Sequence, residues 1–167
     1  MSQVVIRFGR PDDLPFLGAI EQSGAETFTV FGQPLVDGSP PAPDDQWAKA
    51  LHDGLLWVAD DLASGPIGFL AAERTDDGLY IEEVDVLMPR QKQGHGRRLM
   101  HAAIDWAKAE GLPAVTLTTF RHIPFNGPFY ASMGFAEQYP PSPHLAATLA
   151  NEAAGGFTDR CAMRLAL

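Results

Sequence analysis

Glu82, Glu83 and Asp85 lie on one short apolar stretch, which runs into a Gln91-x-x-Gly94-x-Gly96 turn. Glycines where a strand turns into a helix leave free backbone N–H groups at the positive end of the helix dipole, a ready site for phosphate oxygens. The carboxylates beside it offer a base. An ammonium of pKa about 10.4 is only ~0.1% neutral near pH 7.4, a handicap of roughly 4 kcal/mol that a nearby carboxylate can relieve. The combination points to an enzyme that holds a phosphate-bearing cofactor and removes a proton from a substrate. Two common glycine-rich sites are excluded. A dinucleotide fingerprint needs a third glycine where Leu99 stands and an acidic residue about twenty positions on; a P-loop needs Gly-Lys-[Ser/Thr]. Neither is present. Tight strand–helix packing is the competing explanation for Gly94 and Gly96, and a solvated strand face for Glu82 and Glu83.

The elements that must hold these residues can be read from patterning. Val4–Phe8 is β-prone, and Pro11-Asp12-Asp13-Leu14 opens a helix through Leu17 and Ile20, with turn residues near Gly32 and Pro34. Residues 37–45 are proline-rich and predict an irregular loop or lid. Asp44 or Asp45 can cap a short helix over Trp47–Leu51. Leu55–Ala59, Pro66–Glu73 and Leu79–Leu87, the last predicted as the longest strand, are joined by short turns as an antiparallel meander. Leu99, Met100, Ala103, Ile104 and Ala107 recur at helical spacing after the glycine turn, and Gly111 stops that helix. Ala114–Thr119 returns as a strand, which makes one parallel pair. A short helix follows from Asn126 and Pro128 to Gly134. Then come a strand over Phe135–Tyr139, a helix from Ser142-Pro143 to about Glu152, and a closing strand over Arg160–Leu167. The fold class expected is a single-domain mixed α/β sheet, mostly antiparallel, with a central parallel pair and flanking helices.

Composition sets outer limits. The chain has 167 residues, 46% of them hydrophobic, enough for one ordinary core. Its formal net charge of −9 argues against a protein that coats nucleic acid. The pairs Asp12-Asp13, Asp44-Asp45, Asp60-Asp61 and Asp76-Asp77 read mainly as solvated turns and element ends, with attraction of a cationic substrate as the sharper alternative. Cys161 is the single cysteine and reads as a small buried residue; no disulfide and no cysteine-based metal site is expected. The N-terminus lacks an apolar signal-peptide core and no segment is long enough to span a bilayer, so a cytoplasmic location without membrane contact is expected.

Two blocks resemble the GCN5-related N-acetyltransferase family. Gln91-Lys92-Gln93-Gly94-His95-Gly96 is similar to the family's Gln/Arg-x-x-Gly-x-Gly/Ala signature for acetyl-CoA, and Glu83-Val84-Asp85-Val86 to the strand that leads into it. The segment from Asn126 through Tyr130 to Gly134-Phe135 resembles the family's second block. The likeness is specific over residues 80–135. Met88-Pro89 departs from it, since many relatives place proline one residue earlier. Thr118–Asn126 with Asn151-Glu152…Arg160 is similar to a poorly characterised bacterial branch.

The resemblance implies direct acetyl transfer from acetyl-CoA to a primary amine, releasing CoA, with no metal. It implies that Glu83 is the base. Glu82 is the second candidate, on the opposite face if strand alternation holds, and Asp85 is a third on Glu83's face. It implies that the Val86 amide stabilises charge on the attacked carbonyl, and that Tyr130 returns a proton to the CoA thiolate. Asn126 would bond the pantetheine arm. The amides of Gln91, Lys92, Gln93, Gly94, His95, Gly96, Arg97 and Arg98 would meet the pyrophosphate, with charge contacts from Arg90 and Lys92. His122 is a second possible base, and Trp47 and Phe31 possible pocket walls. Acceptor specificity is expected from the first helical region, the 32–45 loop and the segment 140–157, with the helix over 143–152 bordering the acceptor. Small amines, antibiotics, amino acids and protein N-termini all remain open as acceptors, and the resemblance is compatible with a homodimer. Competing readings are a non-catalytic CoA-binding sensor or interaction module, and a binder of nucleotides other than CoA.

Overall fold

In the computed structural model, which describes residues 2–32, 43 and 45–167, one seven-stranded sheet runs through the molecule in the order β1-β2-β3-β4-β5-β7-β6. The strands are β1 (Val4–Phe8), β2 (Leu56–Asp61), β3 (Gly65–Thr75), β4 (Gly78–Val86), β5 (Ala114–Phe120), β6 (Ala136–Glu137) and β7 (Arg160–Ala166). The helices are α1 (Leu14–Ala25), α2 (Ala48–His52), α3 (His95–Ala109), α4 (Gly127–Ala131) and α5 (Pro143–Ala154). Tight turns join β2, β3 and β4 as an antiparallel meander, and β1 pairs antiparallel with β2 after a connection that carries α1 and α2. The crossover through α3 makes β4 and β5 parallel, and β7 then inserts antiparallel between β5 and β6. The predicted mixed sheet with one central parallel pair is therefore the observed one.

Alternation along the strands sorts side chains to two faces. Trp57, Ala59, Leu70, Val115 and Leu117 join the core beneath α3, which contributes Leu99, Met100, Ala103, Ile104 and Ala107 at three- and four-residue spacing. Burying each of the larger side chains contributes about 1.5–3 kcal/mol. Gly111, at φ 68°, ends that helix in the left-handed conformation a glycine adopts without strain. On the opposite face Leu56, Val58 and Phe69 pack against Leu17 and Ile20 of α1 and Ala50 of α2, while Leu145 of α5 covers Tyr80 and Ala162.

Several local expectations are corrected. The longest strand is β3, with 11 residues against 9 for β4. The strand expected over Phe135–Tyr139 shrinks to Ala136–Glu137, because only these two residues pair with β7. The cap of α2 is Trp47, and Asp45 offers its main-chain oxygen to the Ala48 N–H rather than its carboxylate; Asp44, Pro34 and most of the 37–45 loop lie outside the described residues. The acidic pairs are solvated only in part: Asp12, Asp45 and Asp76 are exposed, whereas Asp13, Asp60 and Asp61 are engaged. Arg7 holds Asp13 through two bonds of 2.8 Å and Asp60 through a third of 2.8 Å. Burial alone would raise the Asp13 carboxyl, but Arg7 and the Arg10 N–H hold it below its usual value. Asp61 is similarly engaged by the Ala63 N–H and by Arg90, and is held down to about 2.

Gly24 fixes how closely α1 approaches β4. A Cβ there would fall 2.1 Å from Asp85 Oδ1, so nothing larger fits without displacing the helix or the carboxylate. Gly24→Ala is expected to destabilise the protein by about 1–3 kcal/mol through overpacking, read as a lower midpoint in urea unfolding. An unchanged midpoint would mean that α1 is not seated against Asp85.

Candidate active site

Parallel pairing between β4 and β5 stops at Tyr80↔Thr116, whereas β5 continues along β7 as far as Phe120↔Arg160. The strands splay from that point, and a cavity of about 500 Å³ fills the wedge. Its walls come from α1 (Glu21), β4 (Glu83, Asp85), β5 (Thr118, Phe120), α4 (Tyr130) and α5 (Glu152). The helix over 143–152 therefore shares this cavity with Tyr130.

A bulge in β4 decides which carboxylate faces the wedge. Ala71 pairs with Glu83 but Ala72 pairs with Ile81, leaving Glu82 as the extra residue. Leu79, Ile81, Val84 and Val86 join the α3 core, and Tyr80 faces α5, so Glu83 and Asp85 share the cavity side. Simple alternation, which set Glu82 squarely opposite Glu83, fails at this bulge. Glu82 is exposed at the cavity rim among Glu73, Lys49 and Asp53, where lost hydration and the Glu73 charge raise its carboxyl.

Glu83 and Asp85 hydrogen-bond to one another. Burial, followed by the Glu21 charge, pushes Glu83 up to about 7. Asp85 is raised well above its usual range by burial and by Glu83. Two close carboxyls in a poorly hydrated wedge hold one proton between them near neutrality. Tyr130 is 7% exposed, its ring edge-on to Phe129 and Phe135. Burial and the neighbouring carboxylates push its hydroxyl up, so it stays protonated at neutral pH. Asn126 is the cap residue of α4 and lines the cavity, but its side chain makes no cap bond; its Nδ2 donates to Phe125 O at 3.0 Å.

The other end of the wedge is built from main chain. Leu87 N–H donates to Ile67 O in β3 at 2.9 Å, so antiparallel alternation turns the Val86 N–H and C=O the other way, into the wedge. Gln91 Nε2 bonds that carbonyl at 3.0 Å. Lys92 (φ 59°) and Gly94 (φ 83°) adopt left-handed backbone, and Gly94 caps α3. The Arg98 N–H bonds Gly94 O, so the N–H groups of His95, Gly96 and Arg97 precede the first intrahelical donor and have no acceptor within the helix. Two facts decide whether a phosphate-bearing group fits. A Cβ on Gly94 would meet nothing within 4 Å, and one on Gly96 only the Phe129 ring at 3.9 Å. The protein's own packing leaves the front of these amides open.

Basic side chains around the turn are mostly committed elsewhere. Arg90 is paired with Asp61 at 2.8 Å rather than free for phosphate. Arg97 bonds Ser132 Oγ at 2.7 Å beside the Phe129 ring, and Arg98 bonds Val4 O at 2.9 Å. Lys92 is exposed, Gln93 lies within 3.5 Å of Pro89 O, and His95 is buried, with burial lowering its ring pKa. His122 is exposed beside Asp159, Trp47 packs on Phe69, and Phe31 packs on Phe125; none of the three lines the cavity. Gln46 and Phe28 take the wall positions that Trp47 and Phe31 were expected to hold. Glu21 is a cavity residue that sequence reading missed, although it stands one turn after the buried Leu17 and shares its stripe.

A mixed sheet splayed at its parallel pair, with an amide-lined turn opening the crossover helix, defines the α/β fold of N-acetyltransferases. The profile of the acetyltransferase (GNAT) family matches residues 24–135, and the chain belongs to that family. Solved structures share the fold at low identity. The ribosomal-protein-S18-alanine N-acetyltransferase of Escherichia coli is 20% identical with a TM-score of 0.71, over 98% of this chain and 94% of that one. The Thermoplasma acidophilum paia N-acetyltransferase, solved with coenzyme A, is 15% identical with a TM-score of 0.71 over 99% of both chains. The Neisseria gonorrhoeae N-acetylglutamate synthase, complexed with coenzyme A and N-acetyl-glutamate, is 17% identical with a TM-score of 0.71, over all of this chain and 36% of that one.

Proposed function

We propose that the protein is an acetyl-CoA-dependent N-acetyltransferase acting on a primary amine by direct transfer. The observation that carries this reading is the wedge itself. The cavity holds the Glu83–Asp85 pair beside a protonated Tyr130, and the main chain that follows β4 offers the Val86 N–H and the open amides at the start of α3. Bound acetyl-CoA would supply a thioester open to attack by an amine. The amides of residues 91–97 would hold its pyrophosphate, with the α3 dipole favouring negative charge there, and Asn126 would orient the pantetheine arm. Glu83 is assigned as the base over Glu82, because it faces the cavity and its carboxyl sits near 7, where it can both take and release a proton. The Val86 N–H is turned to donate to the oxygen on which negative charge develops. Tyr130, held protonated, returns a proton to the departing sulfur.

The test is calorimetric titration with acetyl-CoA, with dephospho-CoA, ATP and NAD as controls, followed by detection of free CoA thiol on adding amines. Saturable binding that requires the pantetheine arm, with amine-dependent thiol release, is expected. Absence of acetyl-CoA binding by folded protein would sink the reading. Binding without thiol release from any amine would favour a CoA-binding module.

A further inference from the structure

The wedge is unbalanced in charge, and the imbalance bears on the acceptor. Among the described residues lining the cavity, Arg160 is the one cation. It is already committed, with Nε and Nη2 bonding both oxygens of Glu152 at 2.9 and 2.8 Å and its guanidinium 4.5 Å above the Phe120 ring. None of Glu21, Glu82, Glu83 and Asp85 forms an ion pair with a cation inside the cavity, and Arg160 reaches Glu83 only through space. Proton removal needs one carboxylate, and the Glu83–Asp85 pair meets that need. Glu21 is surplus to it. Its carboxyl interacts with Gln46 and Trp47, yet Oε2 is sealed from solvent and has no partner within ordinary hydrogen-bond geometry. A sealed carboxylate oxygen without a donor is costly to hold, and burial accordingly raises this carboxyl. A cation entering the wedge would meet the part of the Glu21 carboxyl that lines the cavity and offset the cost of burying it.

Resting on the transferase reading, we infer that the acceptor is a diamine or polyamine whose second ammonium is received by Glu21, with its methylene chain lying against Phe28 and Phe120. Phe28 and Phe120 pack at a tilt with ring centroids 5.2 Å apart beside the carboxylates and supply an apolar wall. They also supply ring faces that attract a cation. An α-amino acid would bring a carboxylate toward four others and find only the committed Arg160. A monoamine would satisfy the base and leave Glu21 as it is.

The test compares putrescine, n-butylamine and glutamate as acceptors at saturating acetyl-CoA. kcat/KM for putrescine is expected to exceed that for n-butylamine by about tenfold or more at low salt, a margin that narrows as salt is added. In the near-isosteric Glu21→Gln variant the putrescine-to-butylamine ratio is expected to fall about tenfold, which a purely structural role would not produce. Equal use of the two amines, preference for glutamate, or a ratio that survives Glu21→Gln would overturn the inference while leaving the transferase intact. If no amine is turned over, putrescine and n-butylamine are titrated into the protein with CoA. Tighter putrescine binding that Glu21→Gln abolishes supports the inference, and equal affinities overturn it.

Discussion

Glu83→Gln is expected to lower kcat by about a hundredfold to ten-thousandfold while raising the melting temperature. The two effects have one cause. The wedge keeps Glu83 poorly hydrated and close to Glu21 and Asp85, which pushes its carboxyl up to about 7 from an ordinary value of 4.5. A carboxyl raised in the folded state favours the fold while it is protonated. Its stabilising contribution is fully present below about pH 4.5 and is lost as pH rises through about 7. At pH 8 the wild type therefore carries a buried charge that the amide variant lacks, and the variant is expected to melt several degrees higher, on the order of 3–6 °C. The amide keeps a partner for Asp85 but cannot take a proton, so the positioned-base contribution is lost. In the wild type, kcat/KM is expected to rise with pH through about 7 and level off above it; in the variant that rise should vanish. Melting scans at pH 5 and pH 8 with rate profiles over the same span check each part. A variant within threefold of wild-type kcat, or one that melts lower at pH 8, would remove Glu83 from its assigned role.

What could be read from the sequence followed from how locally each feature is determined. Helix α3 was legible because its apolar residues repeat at helical spacing and glycines stand at both ends, all within one segment. The parallel pair followed from the strand–helix–strand order. Glu83 and Asp85 were legible as a same-face pair because two residues separate them on one strand. Glu82 was not, because a bulge is a mismatch between two strands and depends on where Ala71 and Ala72 meet β4. The role of Arg90 was misread for a related reason: its partner Asp61 lies 29 residues away, and nothing local marks the pairing. Glu21 had a faint signal, a carboxylate in the buried stripe of α1. Only the fold shows that this stripe runs past the open end of the β4–β5 wedge.

Gly96→Asp is expected to weaken acetyl-CoA binding by a hundredfold or more without destabilising the fold. Gly96 is the second residue of α3, where a carboxylate is favourable to the helix dipole by about 0.3–1 kcal/mol and aspartate has a better helix propensity than glycine. The protein leaves room for the change, since a Cβ would meet only the edge of Phe129 at 3.9 Å. Stability should hold or rise slightly. The same carboxylate would stand in the space before the free amides, compete for them and repel a pyrophosphate. Steric and electrostatic exclusion act together there, which is why a loss of about 3 kcal/mol or more is expected from one small side chain. A substitution that stabilises the helix while removing the ligand separates a phosphate cradle from a glycine kept for packing. Calorimetry with acetyl-CoA beside a melting curve reads both quantities on one sample. Retained affinity in a well-folded variant would mean that the cofactor enters elsewhere; lost affinity with an unchanged or higher melting point would assign the amides at the start of α3 to the pyrophosphate.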